Sequence, residues 1–393
     1  MKRLLFIIGI VVIIILAGIL LFLLFASDGQ KKDIFNAFNI GNTTTGDPAL
    51  DSIIDSIIPG DNTKLAALRQ LTIKRVAGAI EINPTGSSTD PIIYYAEAGT
   101  GHVYSLNIIN GQENRLSNIT IPTAQKAALS RDGKYAVIAT DSNAEGRTIT
   151  IVTLPREGTE LASDQLSELA KEFTITSDDM VIYTTVTADT LTGRVYNPAK
   201  KETKTLFILP FKEATVRFGE KSTDSMYAYP KTALSLEGYL YEINGGVVQR
   251  LPISGYGLGA LGANNAILYS VYKDGVYKSF LYNITSKSSL QTPVAVIPEK
   301  CLFLTEKIFC GTSSSQDLDP ESWYKGTKII SDILQLSDVS SADNQVVSVP
   351  QNEVGRDIDI INLTSSNDNV RLYFNNKIDG SLWIFDQSLS AVQ

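Results

Sequence analysis

The chain has 393 residues, with 42 acidic side chains against 34 basic, a formal net charge of −8 and a single histidine. Nucleic acid and anionic lipid headgroups need clustered Lys and Arg, so this acidic balance excludes nucleic acid and other polyanions as main partners. One histidine and two cysteines also supply too few ligands for a zinc tetrahedron and little acid–base chemistry near neutral pH.

Met1, Lys2 and Arg3 precede an uncharged apolar run over residues 4–26, broken only by Gly9 and Gly18. At about 1.5 Å per helical residue, these 23 residues reach roughly 34 Å, enough for the ~30 Å hydrocarbon core of a bilayer. A cleaved signal peptide has a shorter apolar core and small residues at its exit, whereas Leu24 and Phe25 are bulky here. The sequence therefore predicts an uncleaved transmembrane anchor, with the lipid bilayer as a partner of residues 4–26. Lys2 and Arg3 on one side balance Lys31 and Lys32 on the other, so flanking charge leaves orientation a tie. The strand-rich downstream region with its two cysteines favours an N-terminus inside and a domain outside the cytoplasm.

Residues 27–64 are rich in Asn, Thr, Gly and Asp and carry little apolar content, which reads as a flexible tether. From about residue 65 to 393 the pattern changes to short runs of Val, Ile, Tyr and Thr. Asn-Gly or Asp-Gly dipeptides punctuate them at 110–111, 132–133, 244–245, 274–275 and 379–380. Those dipeptides supply the positive φ of two-residue hairpin turns. Self-similarity at a period of about 45 residues matches four-stranded propeller blades. Segments begin near Val76, Lys126, Lys171, Glu213, Gly255, Glu299 and Arg356, which predicts an all-β, seven-bladed β-propeller, with six or eight blades as the neighbouring counts.

The last segment ends after its third strand, near Phe385 and Asp386. Residues 65–71 can supply the missing strand and close the ring, which hides an edge prone to aggregation; the same stretch also suits a short helix. Cys301 and Cys310 flank a predicted hairpin centred on Thr305 and Glu306, which sets them opposite one another within disulfide reach. Two buried free thiols are the other reading; an oxidising compartment favours the disulfide.

Leu129-Ser-Arg-Asp-Gly-Lys-Tyr-Ala-Val137 is similar to the Ser-Pro-Asp-Gly-Lys strand turn of TolB-like, WD-repeat-like bacterial propellers, with Arg131 in place of proline. Thr100-Gly-His-Val-Tyr104, Leu116-Ser-Asn-Ile-Thr-Ile-Pro122, and the patches from Pro298 through Cys310 to Gly326 resemble a bacterial group of membrane-anchored propellers of unassigned role. The resemblance implies architecture rather than a reaction.

Several motifs match in letters but lack the structural context their chemistry needs. Gly257, Gly259 and Gly262 satisfy a dinucleotide fingerprint but precede a predicted strand instead of a helix. Ser270 with Lys273, and Ser322 with Lys325, match an acyl-transfer spacing but fall on a predicted strand and loop. Asp141, Asn143 and Glu145 copy half of a calcium loop whose closing carboxylate is replaced by Val152. His102 reads as a turn residue bonded to backbone. No catalytic residue, cofactor site or metal site is expected.

An insertion over residues 312–331 carries Trp323 and Tyr324 beside Asp317, Asp319 and Glu321. An aromatic pair on such a loop either anchors a partner or folds back to plug the ring. The leading expectation is a membrane-anchored, extracytoplasmic binding or scaffolding module of the cell envelope, contacting an envelope protein or glycan. The alternatives are a carboxylate-dependent glycan hydrolase or lyase using the channel, with Asp178, Asp179, Asp357 and Asp359 on or beside inner strands, or a subunit of an envelope or pilus assembly.

Overall fold

A computed structural model describes residues 65–82, 90–140, 146–155, 160–263, 265–313 and 318–390; the apolar run at 4–26 and the stretch 27–64 lie outside them. Among the described residues no helix is long and apolar enough to cross a membrane.

The chain opens with a short strand, β1 (Leu68–Gln70), and then builds antiparallel meanders. Blade one is β2 (Val76–Ile82), β3 (Ile92–Glu97), β4 (Val103–Asn107) and β5 (Glu113–Arg115). Blade two is β6 (Ala124–Leu129), β7 (Tyr135–Thr140), β8 (Ile149–Thr153) and β9 (Ala162–Gln165). Blade three follows as β10 (Phe173–Ile175), β11 (Val181–Thr187), β12 (Thr190–Asn197) and β13 (Glu202–Leu209). Next come β14 (Ala214–Arg217), β15 (Met226–Pro230), β16 (Glu237–Asn244), β17 (Val247–Ala263), β18 (Ala266–Lys273), β19 (Val276–Asn283) and β20 (Ser288–Gln291), joined in one seven-stranded sheet. That sheet holds two blades. The first half of β17 pairs with β16 as the last strand of blade four, and its second half pairs with β18 as the first strand of blade five. Blade six is β21 (Cys301–Phe303), β22 (Lys307–Ser313), β23 (Asp332–Asp338) and β24 (Asn344–Ser348). Blade seven has only β25 (Ile360–Ser365), β26 (Arg371–Asn376) and β27 (Leu382–Asp386) from its own stretch.

Its fourth strand is β1, whose Leu68, Arg69 and Gln70 pair with Phe385, Ile384 and Trp383. Within residues 65–71, Leu68–Gln70 therefore close the ring as a strand, not a helix, and the seven first strands lie within a few residues of the starts the sequence repeat set. Arg371 of β26 reinforces the seam with a forked pair to Glu81 of β2 at 2.8 and 2.9 Å.

The first strand of each blade lies nearest the axis and the fourth at the rim. Between neighbouring inner strands the fit is tight: any Cβ at Gly78 of β2 would overlap the Ala127 carbonyl of β6. Outer strands such as β5 and β20 are exposed along their length. The apolar core sits between blades, as where Val137 and Ile151 of blade two meet Phe173 and Tyr183 of blade three. In strands whose side chains alternate across the sheet, both faces of every blade are buried by neighbours, which gives near-continuous burial in β7 and β27.

Antiparallel meandering fixes two faces. The turns after first and third strands lie on one, here the lower face, and the turns after second strands and between blades lie on the upper. At Asp274 and Gly275 both turn residues take positive φ, 55° and 76°, as the hairpin reading requires. In the hairpin of β21 and β22, Leu304 N–H donates to the Lys307 carbonyl at 2.8 Å around a two-residue turn. Cys301 and Cys310 then fall directly opposite, with Cα atoms 4.1 Å apart, and are joined by a disulfide.

Candidate functional site

The insertion in blade six carries a short helix, α1 (Pro320–Tyr324), on the upper face. Asp319 caps it, accepting from Ser322 N–H at 3.0 Å and from the Ser322 hydroxyl at 2.5 Å, and these bonds hold its carboxyl below the usual range. Pro320 occupies the first turn, where its missing N–H costs nothing. The helix is tied on both sides. Glu321 accepts from Leu234 N–H of blade four at 2.8 Å, and Lys377 of blade seven donates to the Trp323 carbonyl at 2.6 Å.

These ties seat Trp323 inside the upper end of the ring, 3 % exposed, among Tyr277, Ile297, Leu318 and Ile330. Its indole N–H donates to Asp359 at 2.9 Å, and the Lys377 ammonium lies 3.9 Å from the ring centre. Tyr324 stacks edge-on against it at 5.1 Å, its hydroxyl buried as well. Of the two readings open for this aromatic pair, partner anchor or plug, the structure shows the plug geometry. Asp319 is occupied as a helix cap, and Asp317 lies outside the described residues.

Beneath Trp323 lies a fully buried charge cluster that the sequence reading did not find. Lys300, in the 3-10 turn Pro298–Lys300, donates to Asp332 at 2.7 Å and to Asp359. Asp359 also accepts from Ile330 N–H at 3.1 Å, and Asp332 Oδ2 from Ile360 N–H at 2.7 Å. Asp332 Oδ1 has no hydrogen-bond partner among the described residues. Burial raises the Asp332 pKa to about 7 against the pull of Lys300, because ionisation would leave that oxygen charged and unpaired. The nearest sequence signal was Asp359, flagged beside an inner strand; Lys300 and Asp332 carried none.

A second charge centre lies toward blades four and six. Arg217 forks onto Glu299 at 3.2 and 2.5 Å. Burial disfavours the Glu299 carboxylate, but Arg217 outweighs it and the pKa falls; burial likewise opposes the Arg217 charge, and Glu299 raises it. The hydroxyls of Tyr229, Tyr277 and Tyr324 gather here, buried and without a hydrogen-bond partner among the described residues. Lys126 and Glu172 form a further pair at 2.8 Å on blades two and three. Arg217 with Glu299 and Lys126 with Glu172 are thus one-to-one pairs, whereas Lys300 is shared by two carboxylates.

The other motifs resolve as local structure. His102 bonds side chains instead of the expected backbone: its Nε2 lies 3.0 Å from the Thr120 hydroxyl and Nδ1 3.7 Å from Glu97. Ser270 bonds Ser279 at 2.6 Å and the Val296 carbonyl at 2.8 Å, leaving Lys273 out of reach on the strand. Ser322 sits in α1 and not in the expected loop, since Asp319 and Pro320 start a helix there; its hydroxyl goes to Asp319, while Lys325 pairs with Glu321 at 2.5 Å. Gly257 to Gly262 lie in β17 and lead into β18, a strand and not a helix, with the Tyr227 ring filling the space where a Gly262 side chain would stand. Residues 141–145 lie outside the described set. Of the four inner-strand carboxylates only Asp359 points inward; Asp178 accepts from Ser222 on the lower face, Asp179 occupies a turn at φ 60°, and Asp357 is exposed beside Ser331.

On the lower face the first-to-second-strand turns of blades two, four, five, six and seven line a cavity of about 600 Å³. Arg131 crosses from blade two to blade seven, donating to the Ser365 carbonyl at 2.9 Å and to Asn367 at 3.1 Å. The residue that departs from the Ser-Pro-Asp-Gly pattern thus ties two non-adjacent blades across the cavity wall. Glu220, Asp224 and Ser225 form the opposite wall, with Phe218 and Phe303 half-buried between.

Compared with protein-family profiles and with curated proteins, the sequence matches none. Among solved structures it is similar to the β-propeller domain of the Trilobed protease from Pyrococcus furiosus, with a TM-score of 0.52 at 12 % identity, over 79 % of this chain and 94 % of that one. An oligogalacturonate lyase from Vibrio parahaemolyticus gives 0.52 at 10 % identity, over 81 % and 93 %. An oligogalacturonate lyase in complex with manganese gives 0.51 at 11 %, over 80 % and 97 %. The propeller domain from Pyrococcus is described as having an open velcro topology, whereas here β1 seals the last blade. Likeness at this level of identity carries the architecture alone, and with the strand pairing it identifies the described chain as a seven-bladed β-propeller.

Proposed function

We propose that the chain is a single-pass membrane protein presenting its propeller outside the cytoplasm as a non-catalytic binding or scaffolding module of the cell envelope. The apolar run at 4–26 supports the anchor, and the disulfide between Cys301 and Cys310 supports an oxidising compartment. The resemblance to TolB-like, membrane-anchored propellers points the same way. One observation carries the binding role: Trp323 closes the upper end over the Lys300 cluster, while a cavity of about 600 Å³ opens on the lower face. Expression of the full chain in bacteria tests the reading. It should stay in membranes through alkaline carbonate extraction, lose its propeller to protease in spheroplasts but not in intact inverted vesicles, and retain a stoichiometric partner or glycan after mild solubilisation. A chain released by carbonate, or protected in spheroplasts, would overturn it.

A second reading, a carboxylate-dependent glycan hydrolase or lyase, is favoured by the juxtaposition of Asp332, with its pKa near 7, and Asp359 on one lysine. Glycosidases set such carboxyl pairs on either side of a sugar bond. Both groups are wholly buried beneath Trp323, which leaves a substrate no approach. Among the described residues no three His, Cys, Asp or Glu side chains gather as metal ligands, so the manganese of the one lyase has no counterpart set there. Turnover of a defined glycan, abolished by Asp359→Asn with folding intact, would establish this reading over the first.

A further inference from the structure

The lower-face cavity has a chemistry that selects among ligands. Its charged lining residues are Arg131 on one wall and Glu220 and Asp224 on the other, a local excess of negative charge. Arg131 spends part of its guanidinium on Ser365 and Asn367, and the Glu220 carboxylate has no partner among the described residues. Arg131 keeps its charge, since both acceptors are neutral, but with two carboxylates against this one cation the lining is net negative and disfavours an anionic ligand. Between the walls the half-buried faces of Phe218 and Phe303 offer apolar area ringed by hydroxyl and amide groups. Ligand sites combine these features in this way: apolar surface with a few directional donors and acceptors.

Resting on the binding reading above, we propose that this cavity binds a short neutral glycan. Vicinal hydroxyls of a sugar can donate to the Glu220 and Asp224 carboxylates, and the C–H face of a pyranose lies against a phenyl ring. A volume of about 600 Å³ has room for roughly two or three pyranose rings. The flat face of a protein partner suits it less, since stable protein interfaces spread over about 800 Å² a side and a concave cup admits only a chain end.

The test is calorimetric titration of the full chain in lipid nanodiscs, free of sugar detergents. The panel is cellotetraose, chitotetraose, maltotetraose and mannotetraose, with tetragalacturonate as the anionic control. At least one neutral tetrasaccharide should bind, tetragalacturonate should bind at least about tenfold more weakly, and Glu220→Ala should weaken the neutral ligand about fivefold or more. Phe218→Ala should do the same, with thermal midpoints recorded for both variants to exclude misfolding. Silence of all four neutral sugars up to about 5 mM, preference for tetragalacturonate, or full affinity in two folded cup variants would each overturn the proposal. If the sugars are silent but a solubilised protein partner is retained, the glycan assignment fails alone; if neither binds, the binding reading fails with it.

Discussion

Lys300 shows how one residue can govern a region without appearing in any motif. Its ammonium is the shared counter-ion of two fully buried carboxylates, and Asp359 in turn holds the Trp323 indole. Removing one member of such a cluster strands the others in a low-dielectric interior, at a cost of about 3–5 kcal/mol. Lys300→Met should therefore lower unfolding free energy by about 3 kcal/mol or more in urea melts, and Trp323 fluorescence should report loosening of α1. A loss under about 1 kcal/mol would mean that the cluster is relaxed or hydrated in solution.

Asp332 adds a pH signature at the same scale. Its folded pKa, near 7, stands above that of an unfolded aspartate at about 4, so as pH rises the unfolded chain gives up this proton first. The stabilisation from this group is full below about pH 4 and lost as pH passes through about 7. Asp332→Asn removes the titration. The variant should gain stability relative to the parent between pH 5 and pH 8, and a parallel pair of stability curves would refute the assignment.

Among elements, β1 and the hairpin of β21 and β22 are the closures. Leu68 is buried against blade seven, so Leu68→Ala should cost about 2–4 kcal/mol, more than an equal truncation at a rim strand. Because β1 joins residues more than 300 positions away in sequence, Leu68→Asp should unseat the seam. Hydrogen exchange is expected to rise first in β1 and β27, whereas exchange spread evenly over all blades would contradict a local seam. The disulfide closes a short loop, so removing it costs less than a long-range crosslink would. Cys301→Ala with Cys310→Ala should lower stability by about 2–3 kcal/mol and leave the circular dichroism of the fold unchanged.

For the whole molecule, periodic features were legible from sequence and convergent ones were not. The Asn-Gly and Asp-Gly turns and strands such as β19 and β27 follow from local φ preference and alternation, so the blade starts could be placed. Cys301 and Cys310 were readable for the same reason, being nine residues apart across one turn. The six-sheet pairing with a shared β17 was not, because fusion of two blades depends on how they meet. Nor was the cluster of Lys300, Asp332 and Asp359, whose members come from an interblade turn, a third strand and the next blade. Arg131 was visible as a departure from a pattern, but its reach to Ser365 depends on ring closure.

The sequence by itself determined the strand periodicity, the seven repeats, the missing last strand and the local disulfide, since each depends on residues near one another along the chain. Tertiary structure alone decided that Trp323 plugs the upper end, that Lys300 meets Asp332 and Asp359 and Arg217 meets Glu299, and that the lower-face turns of five blades line a cavity. Those outcomes depend on side chains brought together by closure of the ring, and closure juxtaposes positions that no sequence spacing encodes.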